Sequence, residues 1–133
     1  MPKENIKVFI VDDDYFLLNM YSLKFKNRGM EVEVAGSSQE AMDKLENGLD
    51  PDVVLLDIIM PSVDGLTLLE EIREKGLAKN SAVIMLTNQG LQEDIDRAKA
   101  SNVDGYIVKA TSVPSEVVDE VERVYAKFKG NNS

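Results

Sequence analysis

Residues 53–61 read VVLLDIIMP: four apolar residues, a lone acid at Asp57, three more apolar residues and a proline. A run this apolar and β-branched, too short for an ordinary helix and bounded by proline on both sides, reads as a strand buried on both faces, assigned here to 52–56. Strands covered on both faces belong to parallel sheets flanked by helices. A carboxylate at the end of such a strand needs an explanation, because buried acids are costly unless something partners them.

Outward from this stretch, similar runs recur at KVFIV (7–11), AVIML (82–86) and GYIV (105–108), whereas EVEVA (31–35) alternates Glu and Val as an edge strand does. Between them lie five helical segments. The first ends at Gly29; the second opens with Ser37 and Glu40 in capping-box spacing and ends near Gly48; the third follows Asp64 and stops near Gly76. The fourth carries Leu91, Ile95 and Ala98 on one face, and the last carries Val117, Val121, Val124 and Phe128. Strands alternating with helices, right-handed crossovers and an outermost second strand predict an α/β fold, a doubly wound five-stranded parallel sheet in the order 2-1-3-4-5 of the flavodoxin-like (βα)5 kind. At 133 residues and 44% hydrophobic content the expectation is one domain over 1–133, with a core of about 6–128 and a short flexible tail.

With 24 acids against 15 bases the net charge is −9, which argues against direct nucleic-acid binding. The chain has no Cys and no His, which excludes disulfides, thiolate or imidazole metal sites, Cys or His nucleophiles and a histidine base. A bound metal would be held by oxygen, which favours Mg²⁺, Mn²⁺ or Ca²⁺. The N-terminal apolar run is too short for a signal peptide, and no segment approaches the roughly 20 apolar residues of a membrane span. The expectation is a soluble cytoplasmic protein without a membrane partner.

Aligning the strands in parallel gathers their C-terminal ends at the sheet edge where open α/β folds bind ligands. The first strand delivers Asp12, Asp13 and Asp14, the third Asp57, the fourth Thr87 and the fifth Lys109. Each has an ordinary explanation when taken singly: Asp14 suits a helix cap, a threonine opens a loop, and a lysine snorkels to water. Asp57 has none, because the next helix starts only near Asp64. Two like charges ~4 Å apart cost about 4 kcal/mol at an effective dielectric of ~20, so Asp12, Asp13 and Asp57 need protons, or a divalent cation together with Lys109. A site neutralised in the second way suits a phosphoryl group, and a carboxylate within it can serve as the nucleophile that forms an aspartyl phosphate.

The VDD of the first strand, LLDIIMPSVDG around Asp57, the threonine closing the fourth strand and GYIVK of the fifth together resemble the receiver domain of bacterial two-component response regulators, over about Ile6 to Phe128. The resemblance implies that Asp57 is the phosphoacceptor, served by a histidine kinase, a phosphotransfer protein or a small donor such as acetyl phosphate. It implies Mg²⁺, with Mn²⁺ as a substitute, held by Asp13, Asp57 and the carbonyl of Ile59, with Asp12 acting mainly through water. Lys109 would pair with a phosphoryl oxygen, and Thr87 and Tyr106 would form the switch. An effector protein would dock on the fourth helix, fifth strand and fifth helix of a stand-alone, monomeric or weakly dimerising module that catalyses only its own phosphorylation and dephosphorylation.

Three other readings compete. A pseudo-receiver that binds partners without phosphorylation would not need the full set of Asp13, Asp57, Thr87 and Lys109. A phosphohydrolase of the haloacid dehalogenase kind would carry a second Asp where this chain has Ile59, and a flavin carrier would replace DDDYF with a phosphate loop rich in Ser and Thr. The chain also departs from the receiver pattern. Ala110 stands where a proline after a cis peptide is common, and a non-proline cis bond costs ~2.5–4 kcal/mol. Asn88 is larger than the Ala, Gly or Ser usual there, and Ile59 and Gln89 occupy positions that influence how fast the phosphoryl group is gained and lost. An Asn88→Ala variant is expected to differ from the parent in the rate of phosphoryl loss, followed by intact mass; equal rates would relieve Asn88 of any part in setting the lifetime.

Overall fold

The computed structural model describes residues 5–58, 60, 63–87, 92–109 and 113–131, the last without its side chain. Five strands, β1 (Lys7–Val11), β2 (Glu31–Ala35), β3 (Val53–Asp57), β4 (Ala82–Thr87) and β5 (Gly105–Val108), alternate with α1 (Tyr15–Asn27), α2 (Ser38–Glu46), α3 (Gly65–Glu74), α4 (Gln92–Ala100) and α5 (Pro114–Asn131). All pairings are parallel and the order is β2-β1-β3-β4-β5, as the sequence predicts. Strand β3 lies one residue later than expected, so that Asp57 is its last residue, paired with Leu86.

Alternation along the strands builds two apolar layers. Val8, Ile10, Val53, Leu55, Ile84, Leu86 and Ile107 face α1 and α5, meeting Leu18, Phe25, Val117 and Val121. Phe9, Val11, Val54, Leu56, Val83 and Met85 face the other way, against Met42 and Leu45 of α2, Leu66, Leu69 and Ile72 of α3 and Ala98 of α4. The edge strand β2 is the most exposed of the first four, Glu31 being open to solvent.

The caps follow from local chemistry. Asp14 accepts hydrogen bonds from the amides of Phe16 (3.0 Å) and Leu17 (3.3 Å), and Asp64 accepts one from Thr67 (2.8 Å). Ser37 Oγ accepts from the Glu40 amide at 3.1 Å, but the Glu40 carboxylate reaches one residue further than a capping box requires and takes the Gly36 amide at 2.9 Å. The first three helices end on Gly29, Gly48 and Gly76 at positive φ, a conformation that side chains disfavour. Helix α4 departs from expectation: its buried face is Asp94 and Ala98, Ile95 is half-buried, and Leu91 lies outside the described residues. An acid therefore occupies a position that the apolar pattern did not mark.

Gly65 shows how closely α3 is set against the end of β3. Its amide donates to Ile58 O at 2.8 Å, and a Cβ at this position would lie 2.1 Å from the carbonyl oxygen of Asp57. A Gly65→Ala variant is expected to lose about 1–3 kcal/mol of stability in urea unfolding, because backbone has to move despite alanine's better helix propensity. The nearest atoms to a Cβ at Gly36 belong to the hydroxyl end of the Tyr15 ring, which is 65% exposed and able to swing, so Gly36→Ala should fall within about 0.5 kcal/mol of the parent.

Candidate functional site

The alternation that orders the core also orders the site. The positions that point Val8 and Ile10, Val53 and Leu55, and Ile107 toward α1 and α5 continue, two residues at a time, to Asp12, Asp57 and Lys109. The three meet in space. Lys109 Nζ donates to Asp12 Oδ2 at 2.7 Å and lies 3.5 Å from Asp57 Oδ2, and the three side chains are no more than 6% exposed.

Burial pulls the Lys109 ammonium toward its neutral form, but the hydrogen bond to Asp12 and the charge of Asp57 outweigh it, leaving the pKa above the ordinary lysine value. This lysine is therefore a fixed positive charge at neutral pH, the opposite of the snorkelling side chain that its place in the sequence would allow. Tyr21 of α1 lies beneath the cluster, 3% exposed. Burial raises its pKa, Lys109 pulls it back, and Asp12 and Asp57 raise it further, so its hydroxyl shares the field of the same three groups and stays protonated.

Asp12 is already well used. Its Oδ1 accepts from the Asp14 amide at 3.0 Å and its Oδ2 from Lys109, with the residue 1% exposed. Asp13 is exposed. Asp12, Asp13 and Asp57 each offer a carboxylate oxygen within 4.8 Å of the others, an all-oxygen donor set suited to a small hard cation. A cavity of about 320 Å³ opens beside Asp13, lined by Gly36, Ser37, Ser38, Gln39, Met60 and Val63.

Thr87 closes β4, fully buried, one residue past the partner of Asp57. Tyr106 stands on β5 with the opposite parity to Lys109 and packs against the layer that contains Ala98. Its hydroxyl is buried without a hydrogen-bond partner among the described residues, a situation that costs about 1–3 kcal/mol. Tyr106 also borders a groove of about 430 Å³ with Val108 of β5 and Glu116, Asp119, Glu120 and Arg123 of α5. Ile59, Asn88, Gln89 and the Lys109–Ala110 peptide lie outside the described residues.

Three features escape the sequence reading. Tyr21 looks like any core residue of α1 until the lysine above it is placed. Gly65 is quoted within a motif, but its contact with the Asp57 carbonyl belongs to the folded chain. Asp94 is hidden among the charged residues QEDIDR, where only the folded helix shows which acid turns inward.

A family model described as the response regulator receiver domain matches residues 8–122. The chain is 32% identical over 120 residues to the chemotaxis protein CheY of Halobacterium salinarum, covering 89% of this chain and 95% of that one. It is 35% identical over 108 residues to the transcriptional regulatory protein TrcR of Mycobacterium tuberculosis, covering 81% of this chain and 41% of TrcR; it likewise spans 56% of the response regulator VraR of Staphylococcus saprophyticus. A crystal structure of a CheY-like receiver domain protein from Methanospirillum hungatei superposes with a TM-score of 0.84 at 25% identity, covering 95% of this chain and 98% of that one. With a receiver model spanning most of its length, a matching strand order and the acids and lysine gathered at one sheet edge, the chain belongs to the response regulator receiver family.

Proposed function

We propose that this receiver is a phosphorylation-controlled signalling module in which Asp57 accepts a phosphoryl group from a histidine kinase, a phosphotransfer protein or a small donor. The observation that carries the reading is the Lys109 ammonium held 2.7 Å from Asp12 and 3.5 Å from Asp57, with Asp13 completing a trio of carboxylates. A structural ion pair would need only one acid. Two buried carboxylates, a third open to solvent and a single lysine leave excess negative charge, which suits a site completed by a cation and then by a phosphoryl group.

In the transfer, an Asp57 carboxylate oxygen attacks phosphorus and an O–P bond forms. The P–N bond of a phosphohistidine, or the P–O bond of acetyl phosphate, breaks with its electron pair leaving on the imidazole or the acetate. Lys109 neutralises charge on the phosphoryl oxygens, and its aim is maintained by Asp12, which keeps one of the ammonium protons. Hydrolysis by water returns inorganic phosphate and the free carboxylate. Mg²⁺, when bound, supplies charge that offsets the acids and the phosphoryl oxygens. Asp13 and Asp57 would hold it directly with the Ile59 carbonyl. Asp12 would act mainly through water, in keeping with its two oxygens already accepting from Asp14 and Lys109.

Thr87 and Tyr106 would carry the change outward, the threonine hydroxyl bonding the phosphoryl group and the ring moving inward. The groove bordered by Tyr106 and α5 would then change shape, and with it the surface of α4, β5 and α5 offered to a protein effector. The lone buried hydroxyl of Tyr106 supports this role, since a side chain held by no hydrogen bond is easily turned.

Incubation with acetyl phosphate and Mg²⁺ should raise the intact mass by one phosphoryl group in the parent and not in Asp57→Asn. Absence of the gain with small donors and with histidine kinases alike would instead favour a pseudo-receiver. In calorimetric titration, Asp13→Asn should weaken Mg²⁺ binding by about tenfold or more, whereas Asp14→Asn, which preserves a helix cap, should leave it close to the parent.

A further inference from the structure

Behind Tyr106 the fold assembles a chain of charges that phosphoryl transfer does not use. Asp64, the cap of α3, gives one carboxylate oxygen to the Thr67 amide at 2.8 Å and the other to Arg97 Nη2 at 3.2 Å. Arg97 Nη1 lies 3.8 Å from Asp94 Oδ1, almost one turn back along α4. The Asp94 side chain is 12% exposed and shares the inward face of α4 with Ala98, which packs in the same layer as Tyr106. The Tyr106 hydroxyl has no hydrogen-bond partner among the described residues, and after burial it is the charge of Asp94 that raises its pKa. A buried acid whose cation among the described residues lies 3.8 Å away, and a buried donor without a hydrogen-bond partner there, therefore belong to the same side of the sheet.

We propose that Asp94 and Arg97 are positioning residues for Tyr106: the Asp94 carboxylate is the acceptor to which the buried hydroxyl turns, and Arg97, anchored on Asp64, sets how much of that carboxylate is available. The proposal rests on the reading of Tyr106 as the residue that moves. It links the start of α3, which sits directly on the acceptor strand through Gly65, to the ring at the effector groove by a route separate from Thr87. The charges fit such a role. Asp64 is held below its ordinary pKa, since burial raises it but the Thr67 amide and Arg97 outweigh that effect, so Asp64 stays ionised and competes with Asp94 for the same guanidinium.

The ordinary alternative is that Asp94 only favours the N-terminus of α4 through the helix dipole. That role is indifferent to a hydroxyl at position 106, so a double-mutant cycle separates the two. Urea unfolding of the parent, Asp94→Ala, Tyr106→Phe and the double variant, all unphosphorylated, should give a coupling of about threefold or more in the folding equilibrium; additive effects would overturn the proposal. Ultraviolet titration of the tyrosines is a second readout, of whether the charges of Asp94 and Arg97 reach the Tyr106 hydroxyl. Asp94→Asn should shift one tyrosine, the one missing from Tyr106→Phe, to lower pH, and Arg97→Gln should shift the same tyrosine to higher pH. The groove's other charges, Glu116, Asp119, Glu120 and Arg123, are unchanged in these variants. If neither substitution moves that tyrosine, Asp94 and Arg97 do not position it. Neither measurement uses a phosphoryl donor, so their failure is distinct from a failure of Asp57 to be phosphorylated.

Discussion

The site depends on one buried contact, the Lys109 ammonium spanning Asp12 and Asp57. In a sheet ordered β2-β1-β3-β4-β5, β5 is two strands from β3 and three from β1, or about 10 and 14 Å at ordinary strand spacing. The lysine must therefore lie across the ends of β4 and β3 instead of reaching for water. Lys109 sets a positive charge beside both buried carboxylates, and removing one member of such a buried cluster typically costs about 3–5 kcal/mol. On the proposed reading, the same ammonium that lies beside the acids would also meet a phosphoryl oxygen.

The two faces of the sheet divide the work. Asp12, Asp57 and Lys109 share the parity of the layer beneath α1 and α5, whereas Thr87 and Tyr106 share that of the layer beneath α2, α3 and α4. On the proposed reading, a change at Asp57 would cross from one layer to the other to reach Tyr106. Backbone contact at Gly65 and the guanidinium of Arg97 both lie on the far side of that crossing, where α3 and α4 meet.

Most of the fold is legible in the sequence because its elements state their own period. KVFIV, EVEVA and GYIV coincide with strands residue for residue, and the alternating Glu and Val of the second correctly places it at the sheet's margin. Strand three is displaced by one residue because Asp57, which looks like the end of an apolar run, still pairs with Leu86. The acids and the lysine are legible for a different reason: parallel strands end together, so the residues that follow them can be placed on one edge without coordinates. What escapes is whatever depends on how helices sit over the sheet. The inward turn of Asp94 is invisible in a segment where five of nine residues are charged, and the approach of Gly65 to the Asp57 carbonyl has no signal beyond a glycine after an aspartate. The capping box at Ser37 is legible in type, yet its carboxylate takes the Gly36 amide, one residue earlier than the pattern predicts.

The hydrogen bond between Lys109 and Asp12 joins residues 97 positions apart, nearly the whole span from the first strand to the last. Contacts of such long sequence separation form late in folding, because a large loop must close before they are rewarded. The surroundings of Asp57 are thus tied to completion of the chain's assembly: a nascent or partly unfolded molecule, with β5 not yet docked, holds this carboxylate without the Lys109 charge. If Asp57 is the acceptor proposed above, fold quality would in effect be checked at the point where a signal is received, since a chain that has not closed its sheet lacks the Lys109 contact.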